Sequence, residues 1–167
     1  MSSLRKRAPK RLPAAELSDA AAAERVAVGL LARRDYACGE LAAKLGERGF
    51  TTPAIHALIE ELRARGLLDD ARYAGHFVQY HLSRGQGPVR IRRDLGQAGV
   101  AAMSIDAALA AVSDWAEIAR QVRRRRFGAK APASWSEKGR QARFLQYRGF
   151  TNDHIRSALG PDFDPDS

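Results

Sequence analysis

The sequence predicts an all-α fold: three tandem three-helix modules, a set of helical repeats, in an elongated and curved arrangement. Two observations predict it. The same residue types recur three times at a constant spacing, and apolar residues follow the period of one helix face. No segment shows the two-residue alternation of a half-buried β-strand. The predicted organisation is a disordered basic tail at 1–19, modules at 20–66, 67–115 and 116–160, and an acidic tail at 161–167.

The repeat marks the same five positions in each module. They are Leu45, Leu95 and Leu145; Gly49, Gly99 and Gly149; Phe50, Val100 and Phe150; Ile55, Ile105 and Ile155; and Ile59, Leu109 and Leu159. A glycine just beyond a helix can adopt the left-handed conformation that closes the last turn. The apolar residue after it can then pack back on that helix. Each copy therefore predicts a helix, a glycine stop and a second helix.

A further helix is predicted ahead of each of these pairs. In the second module it begins at Asp69 or Asp70, because aspartate is a favoured N-cap. Its apolar stripe is predicted to hold Tyr73, Phe77 and Tyr80. Adjacent acids at a helix start are far more often caps than a catalytic pair, so we assign both aspartates to capping.

Helix starts elsewhere are predicted from single polar residues. Thr52 is the expected N-cap of the last helix in the first module, and Asn152 has the equivalent position in the third. Ser134 and Glu137 have the spacing of a capping box. A loop is predicted at 129–136, where a proline interrupts the helical period.

The charge is strongly basic and unevenly distributed. The formal net charge is +9 and the sequence pI is about 10.4. Residues 116–160 carry 11 basic and 3 acidic groups, a net charge of +8, whereas the segment 161–167 carries three aspartates. Such a balance favours polyanionic partners such as nucleic acid or an acidic protein surface.

Several classes of protein are disfavoured by composition. A single cysteine, Cys38, allows neither an intrachain disulfide nor a cysteine-based zinc site, and we expect it to be buried or half-buried. No apolar run approaches the ~20 residues that span a bilayer. The basic N-terminus lacks the apolar segment of a secretory signal. We therefore expect a soluble cytoplasmic monomer that does not bind membranes.

The sequence offers little for catalysis. The histidines show no metal-ligand spacing; they are His56, His76, His81 and His154. Gly85 and Gly87 do not form a phosphate-binding loop, because no Lys-Ser or Lys-Thr follows and no strand precedes. We expect no enzymatic activity, no cofactor and no metal.

Arginine clusters are the candidate partner-binding residues. Five guanidiniums close together repel one another, and a polyanion relieves that repulsion. Arg120, Arg123 and Arg124 are predicted on one solvated helix face, opposite Ile118 and Val122. The alternative is a solvated helix whose cations favour its own C-terminal dipole. The candidate residues are Arg72, Arg84, Arg90, Arg93, Arg120, Arg123, Arg124, Arg125, Arg126, Arg140, Arg143 and Arg148.

A tight glycine turn is predicted to bring part of this set together. Gly85 and Gly87 end one helix and Pro88 starts the next. Arg90 and Arg93 then lie on one helix face, so that with Arg84 three or four arginines can converge around the turn. The aromatic residues near the last arginines are predicted as core rather than base-stacking groups: Phe144, Tyr147 and Phe150.

Three segments carry a family resemblance. GLLDDARYAGHFVQYHLSRGQGPVRIRRDLGQAGV at 66–100 resembles the central module of RecX regulatory proteins. SEKGRQARFLQYRGFTNDHI at 136–155 resembles their C-terminal module, and RRDYACGELAAKLGERGF at 33–50 their first. One departure is His81, which stands where the family commonly has a basic residue.

The resemblance implies a regulator that binds along the groove of the RecA filament on single-stranded DNA. Such proteins typically inhibit the ATP hydrolysis, strand exchange and co-protease activity of RecA, and the family provides no catalytic residues. Its motifs fall here on Asp69, Asp70, Arg72, Tyr73, Gly87, Arg90, Arg93, Arg143, Arg148, Gly149 and Phe150.

Other interpretations of the sequence stay open at this point. The main alternative is a helical regulator that binds duplex DNA, because helix–glycine turn–helix units and an arginine-rich helix suit a major groove. No single helix, however, combines a basic face with the Asn, Gln and Ser residues that read base edges, so duplex binding would be weak. A protein scaffold of stacked repeats would leave the basic third module without a purpose, and an enzyme is the least favoured class.

Overall fold

The computed structural model describes residues 19–160, a range that contains nine α-helices and no β-strand. The helices are α1 (Ala20–Leu31), α2 (Cys38–Gly46), α3 (Thr52–Ala64), α4 (Asp70–Ser83), α5 (Pro88–Gln97), α6 (Ala102–Ala110), α7 (Trp115–Phe127), α8 (Trp135–Arg148) and α9 (Asn152–Leu159). The predicted all-α fold of three three-helix modules is confirmed. Both predicted tails lie outside the described residues, except Asp19, whose carboxylate caps α1 by accepting a hydrogen bond from the Ala21 N–H.

The chain divides into two compact units, the first ending at Tyr73 and the second beginning at Ala74. In the first unit, α1, α2 and α3 pack on one another around an apolar core. In the second, α5 packs on α6, and α7 packs on both α8 and α9. The module boundaries predicted from the sequence stay a prediction. Among the described residues, no helix combines the length and apolarity needed to span a membrane.

The repeat forms the core of each module. All the leucine, isoleucine and large apolar positions predicted from it are buried. The three glycines have positive φ angles of 96°, 76° and 90° at Gly49, Gly99 and Gly149. In each copy the N–H after the glycine donates to the carbonyl of the repeated leucine, as Phe150 does to Leu145 at 3.1 Å. This is the helix-closing geometry that the pattern predicts.

Two helix starts differ from the prediction by one residue. The N-caps are Thr51 and Thr151, not Thr52 and Asn152. Thr151 forms a reciprocal capping box: its hydroxyl accepts from the His154 N–H at 3.4 Å, and its own N–H donates to His154 Nδ1 at 3.3 Å. The residue that directly follows the buried apolar position has the extended backbone that an N-cap needs, so that residue is the cap and the next one begins the helix.

Asp69 and Asp70 cap two different helices. The Asp69 carboxylate accepts from the backbone N–H groups of Ala71 and Arg72, and these bonds lower its pKa. Asp70 instead accepts from the N–H of Cys38 at 2.9 Å, at the start of α2, where Ala37 has no side-chain acceptor. The prediction that both aspartates are caps is confirmed, although the second cap is a long-range one.

The apolar stripe predicted for α4 is wrong by one position. Its buried residues are Ala74 and Val78, whereas Tyr73 and Phe77 are half-buried and Tyr80 is 54% exposed. Small side chains therefore form the buried face of this helix, and the larger rings lie beside it.

The loop before α8 ends earlier than predicted, because α8 begins at Trp135. Ser134 caps it by accepting from the Glu137 N–H at 3.2 Å. The Glu137 carboxylate accepts from the Ala133 N–H at 2.8 Å, one residue before the position expected of a capping box.

Candidate nucleic-acid interface

The turn between α4 and α5 docks directly on the turn between α8 and α9. The Gly87 N–H donates to the carbonyl oxygen of Arg148 at 2.8 Å, and the Val89 N–H donates to that of Gly149 at 3.0 Å. These two bonds join the second module to the third, and we call them the backbone clasp. They satisfy two N–H groups at the start of α5 and two carbonyls at the end of α8, which have no partner in their own helices.

Glycine is required on both sides of the clasp because the two backbones nearly touch. A Cβ at position 87 would lie 2.4 Å from the carbonyl carbon and oxygen of Gly149. A Cβ at position 149 would lie 2.5 Å from the Cβ of Arg90. Gly149 also has a φ of 90°, which L-residues rarely adopt. The sequence predicts the turn at Gly87 but not its contact with a second glycine turn.

Arg148 extends the contact between the modules. Its Nη1 donates to the carbonyl oxygen of Arg84 at 2.7 Å, at the end of α4. Nearby, Gly85 has a φ of 70°, and a Cβ there would approach Val122 to 3.0 Å. Arg148 thus has a structural contact in addition to any role in binding a partner.

A cavity of about 210 Å³ opens beside the clasp, and we call it the arginine pocket. It is lined by Ser83, Arg84, Gly85, Val122, Arg125, Arg126, Phe144 and Arg148. Among the residues that the structure describes, no carboxylate lies within 4.0 Å of its four guanidiniums. The sequence-predicted arginines at 84, 125, 126 and 148 are therefore brought together without neutralisation.

Aromatic rings contact three of these four cations. The guanidinium carbon of Arg84 lies 4.6 Å from the Tyr80 ring centroid, and that of Arg148 lies 5.2 Å from the Phe144 ring. Arg126 lies 5.8 Å from the ring of Phe127. Such cation–π contacts attract a guanidinium without removing its charge or its hydrogen-bond donors.

Other predicted arginines lie in ion pairs. Asp94 pairs with Arg90 at 3.7 Å and with Arg93 at 2.9 Å. Arg120 pairs with Glu117 at 2.7 Å, a bond that lowers the pKa of that carboxyl, and its Nη1 donates to the Ser157 hydroxyl. These arginines carry less uncompensated charge than those of the pocket.

The prediction that Arg123 is solvated is wrong. Its side chain is buried, with 5% of the residue exposed. It donates to the Gln141 Oε1 at 3.2 Å and to three backbone carbonyls after α7, those of Gly128, Ala129 and Lys130. The carbonyls at a helix end lack intrahelical partners, and the five N–H donors of a guanidinium can satisfy several of them at once. Arg123 is a structural residue of the third module.

A second recess is lined in part by the clasp residues Val89 and Gly149, and we call it the tyrosine recess. Its volume is about 400 Å³, and it is lined by Val89, Arg90, Arg93, Gln146, Tyr147 and Gly149. Tyr147, predicted as core, is 79% exposed, and the Arg90 guanidinium carbon lies 5.9 Å from its ring centroid. The core prediction is wrong for Tyr147 and confirmed for Phe150, while Phe144 is half-buried against the core.

Besides the buried Arg123, four candidate arginines line neither cavity and form no ion pair in the described structure. Arg72, Arg124, Arg140 and Arg143 are exposed, and Arg140 lies over the Phe127 ring at 5.6 Å.

His81, the departure from the family pattern, stacks on Phe77 with 4.0 Å between the ring centroids, and its Nδ1 lies 2.6 Å from the Gln86 Oε1. Within residues 19–160, no group of three or more His, Cys, Asp or Glu side chains could hold a metal ion.

Comparison with known proteins agrees with the repeat and the fold. Family models described as the first, second and third three-helix domains of RecX match residues 23–62, 69–109 and 113–159. The Regulatory protein RecX of Halorhodospira halophila is 51% identical over 133 residues, which cover 79% of this chain and 83% of that protein. The protein of the same name from Pseudomonas fluorescens is 42% identical, with coverage of 87% and 94%.

Two solved structures share the fold. The crystal structure of RecX from Lactobacillus salivarius has a TM-score of 0.74 at 20% identity, over 84% of this chain and 94% of that one. A crystal structure described as regulatory protein RecX has a TM-score of 0.71 at 23% identity, over 83% and 70%. By its three matched domains and its close relatives, the chain belongs to the RecX family of regulatory proteins.

Proposed function

We propose that this chain binds the RecA filament on single-stranded DNA and modulates its activities. The effect is mostly inhibition of ATP hydrolysis, strand exchange and co-protease activity. The chain acts by binding and performs no catalysis, in keeping with relatives named regulatory proteins. The observation that carries the proposal is the arginine pocket, a group of guanidiniums without carboxylate partners among the described residues of a RecX-family fold.

The charge distribution supports a partner that combines protein with nucleic acid. A cationic surface gains affinity by releasing the counterions of a phosphate backbone, which makes binding independent of sequence and steeply dependent on salt. The pocket offers arginines but no Asn side chain and no Gln side chain to read base edges. We therefore expect the filament to be bound through its backbone and its protein surface, whatever the DNA sequence.

The alternative is a regulator of duplex DNA, in which an arginine-rich helix enters the major groove. On α7, however, Arg123 points inward and bonds to backbone carbonyls, so it is not available to a groove. This geometry favours the filament over the duplex.

Co-sedimentation tests the proposal. RecA filaments assembled on long single-stranded DNA with a slowly hydrolysed ATP analogue are pelleted with increasing amounts of the chain. We expect the chain to pellet with the filament more strongly than with single-stranded DNA alone, duplex DNA alone or RecA without DNA. Equal or stronger pelleting with duplex DNA alone would contradict the proposal and favour the alternative.

A further inference from the structure

We propose that the arginine pocket is a phosphodiester-binding site for single-stranded nucleic acid, and that it exists only while the backbone clasp joins the second and third modules. The class of ligand rests on the proposed function. The site itself, its chemistry and its dependence on the clasp follow from the geometry of the second unit.

The charge in the pocket identifies an anionic ligand. Arg84, Arg125, Arg126 and Arg148 converge on one cavity from three helices or their ends, and no described carboxylate offsets them. Their mutual repulsion is relieved when an anion enters. Guanidiniums are suited to phosphate because their planar N–H forks bind two oxygens at once.

The walls of the pocket favour a nucleic acid over an acidic peptide. Phe144 and Val122 give it an apolar wall, which can face a sugar or a base. The adjacent tyrosine recess adds an exposed ring at Tyr147, and exposed aromatic rings stack with bases of any identity. Tyr147 and Arg148 are consecutive and line the recess and the pocket respectively. A strand crossing the clasp could therefore place a base on Tyr147 and the neighbouring phosphate in the pocket.

The two modules contribute different parts of the site. Ser83, Arg84 and Gly85 come from the end of α4, whereas Arg125, Arg126 and Arg148 come from the third module. The clasp and the Arg148 bond to the Arg84 carbonyl hold these groups together. Separation of the modules would remove Arg84 from the other three arginines. The clasp glycines thus control binding by holding the two modules together.

A charge-reversal pair tests the site. We would measure binding of a fluorescent oligothymidine to the full chain by anisotropy over a range of salt concentrations. R84E/R125E should bind at least about tenfold more weakly, and its salt slope should be smaller by about 1 for each phosphate that it no longer neutralises. The matched control is R92E/R156E, which changes the net charge equally at exposed arginines of the same unit that line neither cavity.

The control decides whether position or total charge matters. If R92E/R156E loses as much affinity as R84E/R125E, binding follows the overall field and the pocket is not a site. Circular dichroism and thermal unfolding verify that both variants keep their helices. R84Q/R125Q, which removes the charge without reversing it, should also bind more weakly than R92Q/R156Q.

A single methyl group tests the dependence on the clasp. G87A adds a Cβ that meets the Gly149 backbone, at a φ of −90° that alanine adopts without strain. The control is G96A, at the opposite end of α5, where a Cβ would meet nothing within 4 Å. We expect G87A to weaken oligothymidine binding severalfold although every arginine remains, and G96A to bind as the wild type does. If G87A keeps its helices and binds oligothymidine as tightly as G96A does, binding does not depend on the clasp and this part of the proposal is overturned.

Competition separates the ligand classes. Polyglutamate should displace oligothymidine poorly at equal charge concentration. The proposal is overturned if polyglutamate displaces oligothymidine as well as a nucleic acid of equal charge does, and if this displacement is lost in R84E/R125E. The pocket would then be a site for an acidic protein segment. These assays contain no RecA, so they fail or succeed independently of the filament. If the wild type pellets with the filament while R84E/R125E binds oligothymidine normally, only the pocket proposal fails.

Discussion

Arg123 is a basic residue that stabilises the fold and is not exposed to a binding partner. Its guanidinium closes the end of α7 by binding the carbonyls of the loop that follows. Arg124, the next residue, is exposed and forms no ion pair in the described structure. The sequence could not separate these neighbours, because both lie in an uninterrupted arginine run and the partners of Arg123 are mostly main-chain atoms of an irregular loop.

We expect R123E to destabilise the third module. The substitution leaves several carbonyls unsatisfied and adds a buried negative charge beside them, so the free energy of unfolding should fall by about 3 kcal/mol. Denaturant unfolding followed by circular dichroism measures this. R124E, the matched control, should change the free energy of unfolding by less than about 0.5 kcal/mol. Equal stability of R123E and wild type would show that the buried contacts of Arg123 contribute little.

We expect His154 to make the stability of the third module depend on pH. Burial lowers its pKa below the ordinary value, although Asp153 and Asp114 oppose the shift, and its Nδ1 accepts the Thr151 N–H. The pKa of His154 is lower in the folded chain than in the unfolded chain. The stabilisation that comes from the neutral imidazole is therefore complete above the pKa of the unfolded chain, about 6.5. It is lost as the pH falls from that value through the folded pKa.

The unfolding free energy should therefore decline in wild type as the pH falls below about 6.5. H154Q, which cannot titrate, should show a smaller decline, measured by denaturant unfolding at each pH. H56Q, in which an exposed histidine of the first unit is replaced, serves as the control. A pH profile of H154Q that matches that of wild type would rule out His154 as the cause.

At the scale of elements, the repeat defines the helix pairs and the clasp joins two of them. Leu145, Gly149, Phe150, Ile155 and Leu159 form one complete copy in the third module, and four of them are buried core residues. This part of the fold was predictable because burial of one helix face imposes a period on the sequence. The exposure of Tyr147 was not predictable from the sequence, because the helical period does not distinguish a ring beside the core from a ring that faces solvent.

Two positions of α8 that lie two residues apart should respond differently to the same substitution. L145D places a charge at a position with 0% exposure and should unfold the third module, whereas Y147D, at an exposed position, should not. Loss of thermal stability and of part of the helical circular dichroism signal measures the difference. Unchanged stability of L145D would contradict the repeat as the source of the core.

The clasp makes a separate prediction at this scale. G149A introduces both an unfavourable positive φ and a contact with the Arg90 backbone, whereas G66A introduces only the positive φ, in open space. G149A should therefore be the more destabilising by roughly 1–3 kcal/mol, as measured by denaturant unfolding. Equal effects of the two alanines would mean that the backbones at the clasp separate easily.

At the scale of the whole molecule, the distribution of charge predicts the kind of partner. The net charge of +8 in residues 116–160 was evident from the sequence, and it indicated a polyanion. The sequence did not show that Arg84 of one module meets Arg125, Arg126 and Arg148 of the next. That convergence depends on a contact between two turns, and neither turn carries a side chain at its glycine to mark the contact.

The rate of ATP hydrolysis by RecA on single-stranded DNA tests the central claim most directly. The chain is titrated into the reaction from far below to equal stoichiometry with RecA. The account predicts inhibition, already present at substoichiometric amounts if the chain acts on filament growth or along several subunits. A hydrolysis rate that stays constant at every ratio, with the chain shown to be folded, would contradict the proposal that this RecX-family protein modulates the RecA filament.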